Sequence, residues 1–160
     1  MNARELKFSF NITVWHRHEI NFWGIPKCAN TSVKFALLGK IPGNEHSIGQ
    51  EIHSFRYSRY ISKTQAFRNH YSNITVTRHP YGRVISLYKD FVLRRPNAMT
   101  KSCSSFDSFI DDVILQTDDT TKTNIHFRSQ CYFIAGPNKH KLLPIEIYDI
   151  PNIHKLFKKH

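Results

Sequence analysis

Apolar residues alternate with polar ones at Phe8, Phe10, Ile12 and Val14, the period of a half-buried strand. His16 to Glu19 breaks that rhythm as a polar turn. A second apolar run, Ile20 to Ile25, reads as a strand, and Thr31 to Leu38 as a helix ended by Gly39. Residues 40–54 carry Pro42, Gly43, Asn44 and Gly49 and read as a loop. Tyr57 to Asn69 reads as a helix, and Ile74 to Thr77 as a β-branched strand. Pro80 then opens a long helix, Tyr81 to Arg94, with Val84, Leu87, Tyr88 and Phe91 on one face, and Pro96 stops it. Ser105 caps a helix carrying Phe106, Phe109, Ile110, Val113 and Ile114. Asp118 to Lys122 is a polar loop. Cys131 to Ile134 and Ile145 to Tyr148 read as short strands, and Asp149 as the cap of a final helix, Asn152 to Lys159. Strands alternating with helices predict an α/β fold with a mainly parallel sheet. The length predicts one domain over residues 1–160.

Charge changes this picture. Lys plus Arg number 23 against 12 Asp plus Glu, a formal net charge of +11. Such a field attracts polyanions: nucleic acid, anionic lipid, sulfated or carboxylated sugar, or a nucleotide. Three cysteines, Cys28, Cys103 and Cys131, make no disulfide framework, and reduced thiols fit better. No Cys-x-x-Cys or Cys/His cluster has zinc spacing, and the ten His are scattered, so no metal site is expected. The first residues lack the apolar core of a signal peptide, and no run approaches membrane-spanning length. The expectation is a cytoplasmic protein, or one of the Golgi lumen if the chain is a trimmed piece. The sequons at Asn11, Asn30 and Asn73 read as chance matches.

Two stretches carry chemistry. In Pro26-Lys27-Cys28-Ala29-Asn30-Thr31-Ser32 a strand feeds a short loop, and the N-capping types Thr31 and Ser32 precede a helix. The first turn of a helix offers unpaired N–H groups and a positive dipole end, so an anion docks there. Lys27 adds a mobile point charge. The glycines of a Walker A loop are missing and the Lys comes early. In Thr77-Arg78-His79-Pro80-Tyr81-Gly82-Arg83-Val84-Ile85-Ser86-Leu87-Tyr88, Arg78 ends a strand and Ser86 faces back from the next helix. A guanidinium fork with a hydroxyl holds phosphate by charge-assisted bonds.

Together these stretches resemble the sulfotransferases. The first looks like their 5′-phosphosulfate loop, the second like their 3′-phosphate motif, Arg-Asp-Pro-x-x-Arg-x-x-Ser-x-Tyr. The nearest likeness is to the carbohydrate branch that includes the heparan and chondroitin/dermatan enzymes. It runs from about Ile20 to about Asp149. His126 to Gln130 also resembles a His-x-x-Pro-Gln stretch of that branch. The chain departs from the pattern at His79, where the motif is acidic, and at Ser129, where Pro is common. It is short for the branch, whose further length builds acceptor-binding elements.

The resemblance implies a P-loop-like three-layer α/β sandwich and PAPS (3′-phosphoadenosine 5′-phosphosulfate) as donor, with no metal. Lys27 and the backbone of Cys28, Ala29, Asn30, Thr31 and Ser32 would hold the 5′-phosphosulfate. Arg78 and Ser86 would hold the 3′-phosphate, and Arg128 would reach the same nucleotide. The implied partners are PAPS, PAP and an anionic or neutral glycan, without nucleic acid.

Sulfuryl transfer needs positive charge near the bridging oxygen and a base for the acceptor hydroxyl. Lys27 suits the first role. His53 suits the second, since it lies between the two motifs, where the heparan-type enzymes carry a catalytic His, and its ordinary pKa of roughly 6.5 leaves it mostly neutral. His46 and Glu51 are the alternatives. Arg56, Arg59 and Lys63 read as a solvated face or as acceptor contacts. Arg83 is either a phosphate contact or an exposed helix residue. Two other functions fit less of the sequence: a P-loop-like kinase using ATP, and a basic nucleic-acid-binding module.

Overall fold

The computed structural model describes residues 12–39, 52, 59–119, 123–135 and 143–159. Strands β1 (Ile12–Trp15) and β2 (Ile20–Trp23) form an antiparallel hairpin in which Ile12 faces Trp23 and Trp15 faces Ile20. The polar turn between them is a single 3-10 turn, His16–His18. It is closed by Glu19 in the left-handed region (φ 53°), whose N–H donates to the His16 carbonyl. Helix α1 (Asn30–Leu37) follows β2, and Gly39, at φ 66°, leaves it in the left-handed conformation expected beyond a helix end.

Strand β3 (Arg59–Tyr60) pairs antiparallel with β1 and is followed by α2 (Lys63–Arg68). Where a helix was expected over Tyr57 to Asn69, the described residues 59–69 form a strand, a corner and a short helix. The corner is set by a capping box: the Gln65 N–H donates to Ser62 Oγ at 3.2 Å, and the Ser62 N–H to Gln65 Oε1 at 2.8 Å. Strand β4 (Ser72–Thr77) lies parallel to β2. Helix α3 (Pro80–Tyr88) widens into a π-helical turn, Lys89–Arg94, and α4 (Phe106–Phe109) likewise continues through Ile110–Ile114.

Helix α5 (Gln130–Ile134) replaces the strand expected at Cys131 to Ile134. Ser129 starts it by accepting the Tyr132 N–H at 3.1 Å, and so short an apolar run cannot signal its own period. Strand β5 (Glu146–Asp149) pairs parallel with β4. It leads through a 3-10 turn capped by Asp149, Ile150–Asn152, into α6 (Ile153–Lys159). Phe8, Phe10 and, apart from Ile52, the loop expected over 40–54 lie outside the described residues, as do residues 55–58.

The sheet order is β3-β1-β2-β4-β5. Strands β3, β2, β4 and β5 share one direction and β1 runs against them, so both ladders of β1 are antiparallel. Alternation along the strands divides the sheet into two packed faces. Ile20, Phe22, Ile74 and Val76 pack with Val33 and Leu37 of α1 and Leu156 of α6. On the opposite face Ile12 and Trp23 meet Ala66 of α2. There the buried Asn21 donates to the Ala66 carbonyl at 2.8 Å, and Trp23 Nε1 to Asn73 Oδ1 at 2.9 Å. Helices on both faces make the three-layer α/β sandwich that the resemblance implied. A further core, Leu87, Phe91, Cys103, Phe109, Val113 and Phe127, joins α3 to α4.

Candidate active site

Strands β2 and β4 are hydrogen-bonded parallel neighbours with Trp23 opposite Thr75. The chain therefore leaves both at the same edge of the sheet, where ligands of open α/β sheets sit. The two stretches that resemble phosphate motifs emerge there, side by side.

After β2 the backbone curls. Lys27 (φ 66°) and Ala29 (φ 57°) both adopt the left-handed region, and the Cys28 N–H between them donates to the Ile25 carbonyl at 3.2 Å. Left-handed residues in such a turn gather N–H groups into an anion-binding concavity. For residues other than Gly this conformation costs about 1–3 kcal/mol each. Burial of Cys28 among Ile25, Phe133 and Ile134 holds it in place. The helix starts one residue earlier than expected: Ala29 is its N-cap, the Val33 N–H bonds the Ala29 carbonyl at 2.9 Å, and Thr31 and Ser32 lie inside the first turn. Asn30 folds over Gly24 so closely that a Cβ on Gly24 would collide with Asn30 Oδ1.

Lys27 is not the mobile charge expected. Its Nζ donates to Asp90 Oδ2 at 2.6 Å, and it lies 5.9 Å from the centre of the Phe91 ring. Arg95 clasps the same carboxylate, with Nη2 at 2.8 and 2.7 Å from the two oxygens and Nε at 3.1 Å. Burial alone would raise the Asp90 carboxyl, but hydrogen bonds from Arg95 and Lys27 outweigh it and hold the pKa down at about 2.

After β4, Arg78 is fixed through its backbone by Gln130. The Arg78 N–H donates to Gln130 Oε1 at 2.9 Å, and Gln130 Nε2 donates to the Arg78 carbonyl at 2.7 Å. The Cys28 thiol donates to the same Oε1 at 3.1 Å, so one side chain from α5 ties both loops together. Burial pushes the Cys28 thiol up, which keeps it a neutral loop residue. Arg78 Nη1 reaches the Lys27 carbonyl at 3.5 Å. Gly82 leaves room for this guanidinium, since a Cβ there would lie 3.2 Å from Arg78 Nε. Ser86 is one turn beyond Gly82 on the same face of α3 and is half-buried.

Arg83 is not an exposed helix residue. It is buried and donates to the carbonyls of Pro26 (3.1 Å), His126 (2.9 Å) and Arg128 (2.8 Å), bracing the first loop against the 123–128 segment. Arg128 is also interior: Nε and Nη2 bond the Thr123 carbonyl at 3.1 and 2.8 Å, and the guanidinium lies 4.7 Å from the Tyr132 ring centre. Ser129, at the position where Pro is common in the resembled motif, uses the N–H that Pro lacks, donating to Asp119 Oδ1 at 2.6 Å. His79 stands at the N-cap of α3 without a side-chain cap bond, a task an acidic residue would perform.

His126 packs its ring 5.1 Å from Phe91, beside the Lys27 cluster. Burial first, then the charge of Lys27, pushes its imidazole down to about 4, so it is neutral at ordinary pH. His53, His46, Glu51 and Arg56 lie outside the described residues. Ile52, next to His53, is buried. The sequence did not single out Asp90, Arg95 or Gln130 as site residues. Gln130 alone left a signal, as the last residue of the His126–Gln130 stretch. Among the described residues no group of three or more His, Cys, Asp or Glu is placed to hold a metal ion. Cys28, Cys103 and Cys131 are all free thiols.

Two anion-ready loops at adjacent parallel strand ends, under helices on both faces, define a P-loop-like α/β protein. The model of the sulfotransferase family matches residues 10–148, a span that includes both loops and Gln130. The chain belongs to the sulfotransferase family, a family of sulfuryl-transferring enzymes. No curated protein and no solved structure matches it significantly. No described helix is long and apolar enough to cross a membrane.

Proposed function

We propose that this protein transfers a sulfuryl group from PAPS to a hydroxyl of a carbohydrate. The observation that carries the reading is the bridge by Gln130, which holds the Lys27 loop and the Arg78 loop against each other. A nucleotide with phosphate at both ends matches such a paired site. In this reading the curled backbone from Cys28 to Ser32 and the Lys27 ammonium receive the 5′-phosphosulfate. Arg78 and Ser86 receive the 3′-phosphate. Arg128 and Arg83, already spent on carbonyls, act by holding the loops.

The donor supplies an activated sulfuryl group with PAP as leaving group. The acceptor oxygen forms a bond to sulfur as the bridging sulfur–oxygen bond breaks in line with it. Lys27 offsets the charge that develops on the bridging oxygen. His53 is the proposed proton acceptor. The net charge of +11 favours an anionic glycan as acceptor.

Transfer of radiolabelled sulfate from PAPS to a panel of glycans and small alcohols tests the reading. Label is expected on glycan with the unaltered protein and not with Lys27→Ala. Label on small alcohols alone would overturn the carbohydrate assignment, and label on nothing would overturn the enzymatic one. His53→Ala should lose turnover while PAP affinity stays near that of the unaltered protein. An equal fall in both would remove His53 from the base role.

A further inference from the structure

Asp90 has two cationic partners of different character. Lys27 comes from the loop after β2 and gives it one short bond at 2.6 Å. Arg95 comes from the end of Asp90's own helical segment and covers both oxygens. The Arg95 N–H also donates to the Asp90 carbonyl at 2.8 Å, across the wide π turn. The Asp90 side chain is 8% exposed, Lys27 17% and Arg95 68%.

Removing one partner of a buried ion pair is ordinarily expensive because it strands a charge. Here the loss of Lys27 strands nothing, since the guanidinium fork stays on the carboxylate. Lys27 is therefore the partner that can leave. The phosphosulfate proposed above is an anion that would meet the same ammonium.

We propose that Asp90 and Arg95 are positioning residues for Lys27: Asp90 holds the ammonium as an internal anion, the donor's phosphosulfate takes it over, and Arg95 keeps Asp90 paired after the exchange. This rests on the donor reading above. Asp90 thereby opposes donor binding and keeps Lys27 directed into the fold. Arg95 favours donor binding by making the exchange possible.

The test is calorimetric titration of PAP into four proteins: unaltered, Asp90→Asn, Arg95→Lys and Lys27→Met, with the Lys27→Met/Asp90→Asn double variant closing a cycle. Asp90→Asn is expected to tighten PAP about tenfold, the size of one charge-assisted hydrogen bond no longer competed for. Its Michaelis constant for PAPS should fall in step. In the Lys27→Met background the same change should move the affinity by less than about twofold. Arg95→Lys keeps the net charge but loses the fork, and should weaken PAP several-fold. Its exposed side chain makes that variant readily folded.

Equal tightening by Asp90→Asn in both backgrounds would reduce the effect to a general field and overturn the proposal. So would weaker binding in Asp90→Asn, unchanged binding in Arg95→Lys, or a collapse of kcat at unchanged Michaelis constant, which would make Asp90 the base. Absence of PAP binding in every protein, Asp90→Asn included, would overturn the donor reading and this inference with it.

Discussion

The loop after β2 takes its shape from its own backbone, with Lys27 and Ala29 in the left-handed region, while the loop after β4 takes its shape from a distant side chain, Gln130. Their cations differ in the same sense. Lys27 is neutralised by Asp90, whereas the Arg78 guanidinium has no acidic partner among the described residues and donates to the Lys27 carbonyl. In the proposed site the cation without a counter-charge would set affinity, and the one held by a carboxylate would contribute less to binding.

The sharpest break in that comparison is Arg78→Ala against Lys27→Ala. Loss of the guanidinium should weaken PAP about a hundredfold, near 3 kcal/mol, by calorimetry. Lys27→Ala should cost less affinity than turnover. Equal losses of PAP affinity in the two variants would erase the distinction between the loops.

Gln130→Ala should loosen both loops at once. It leaves the Arg78 N–H without its acceptor, so urea unfolding should show a loss of about 1–3 kcal/mol. PAP affinity should fall with it. A stability loss without an affinity loss would mean that the bridge supports the fold alone.

Acid probes the Lys27 side. The imidazole of His126 is held at about 4, below its unfolded value of roughly 6.5, so the native state binds fewer protons than the unfolded one. Its contribution is complete above roughly pH 6.5 and is lost as pH falls toward 4, amounting to roughly 2 kcal/mol after allowance for partial exposure. Urea midpoints followed over this range should drop, and His126→Gln should flatten that limb. An identical slope in both proteins would remove His126 from the account. Asp90, depressed to about 2, adds its own loss only below roughly pH 4.

The smallest effect is the most selective. Gly82→Ala should stabilise α3 by about 0.5–1 kcal/mol while weakening PAP a few-fold, because the new Cβ meets Arg78 Nε at 3.2 Å. A higher melting temperature with unchanged affinity would show that Arg78 does not need that space.

Much of this was legible in the chain. Strands β2, β4 and β5, the helix opened by Pro80 and the cap at Asp149 follow from local pattern, because apolar period and capping chemistry act within a few residues. The turns that follow β2 and β4 were legible for the same reason. The carboxylate that meets Lys27 was not, since it lies 63 residues away and only the packing of α3 brings it in. The buried role of Arg83 was equally hidden, because its three carbonyl partners belong to two other loops. The short runs around Tyr60 and Cys131 were misread where a single capping Ser, Ser62 or Ser129, decided the start of a helix.

Titration of PAP into the unaltered protein and into Arg78→Ala, in one calorimeter at one salt concentration, bears most directly on the paired site. One-to-one binding that Arg78→Ala all but removes is the predicted result. No heat with the unaltered protein, or equal heat with both, would contradict it.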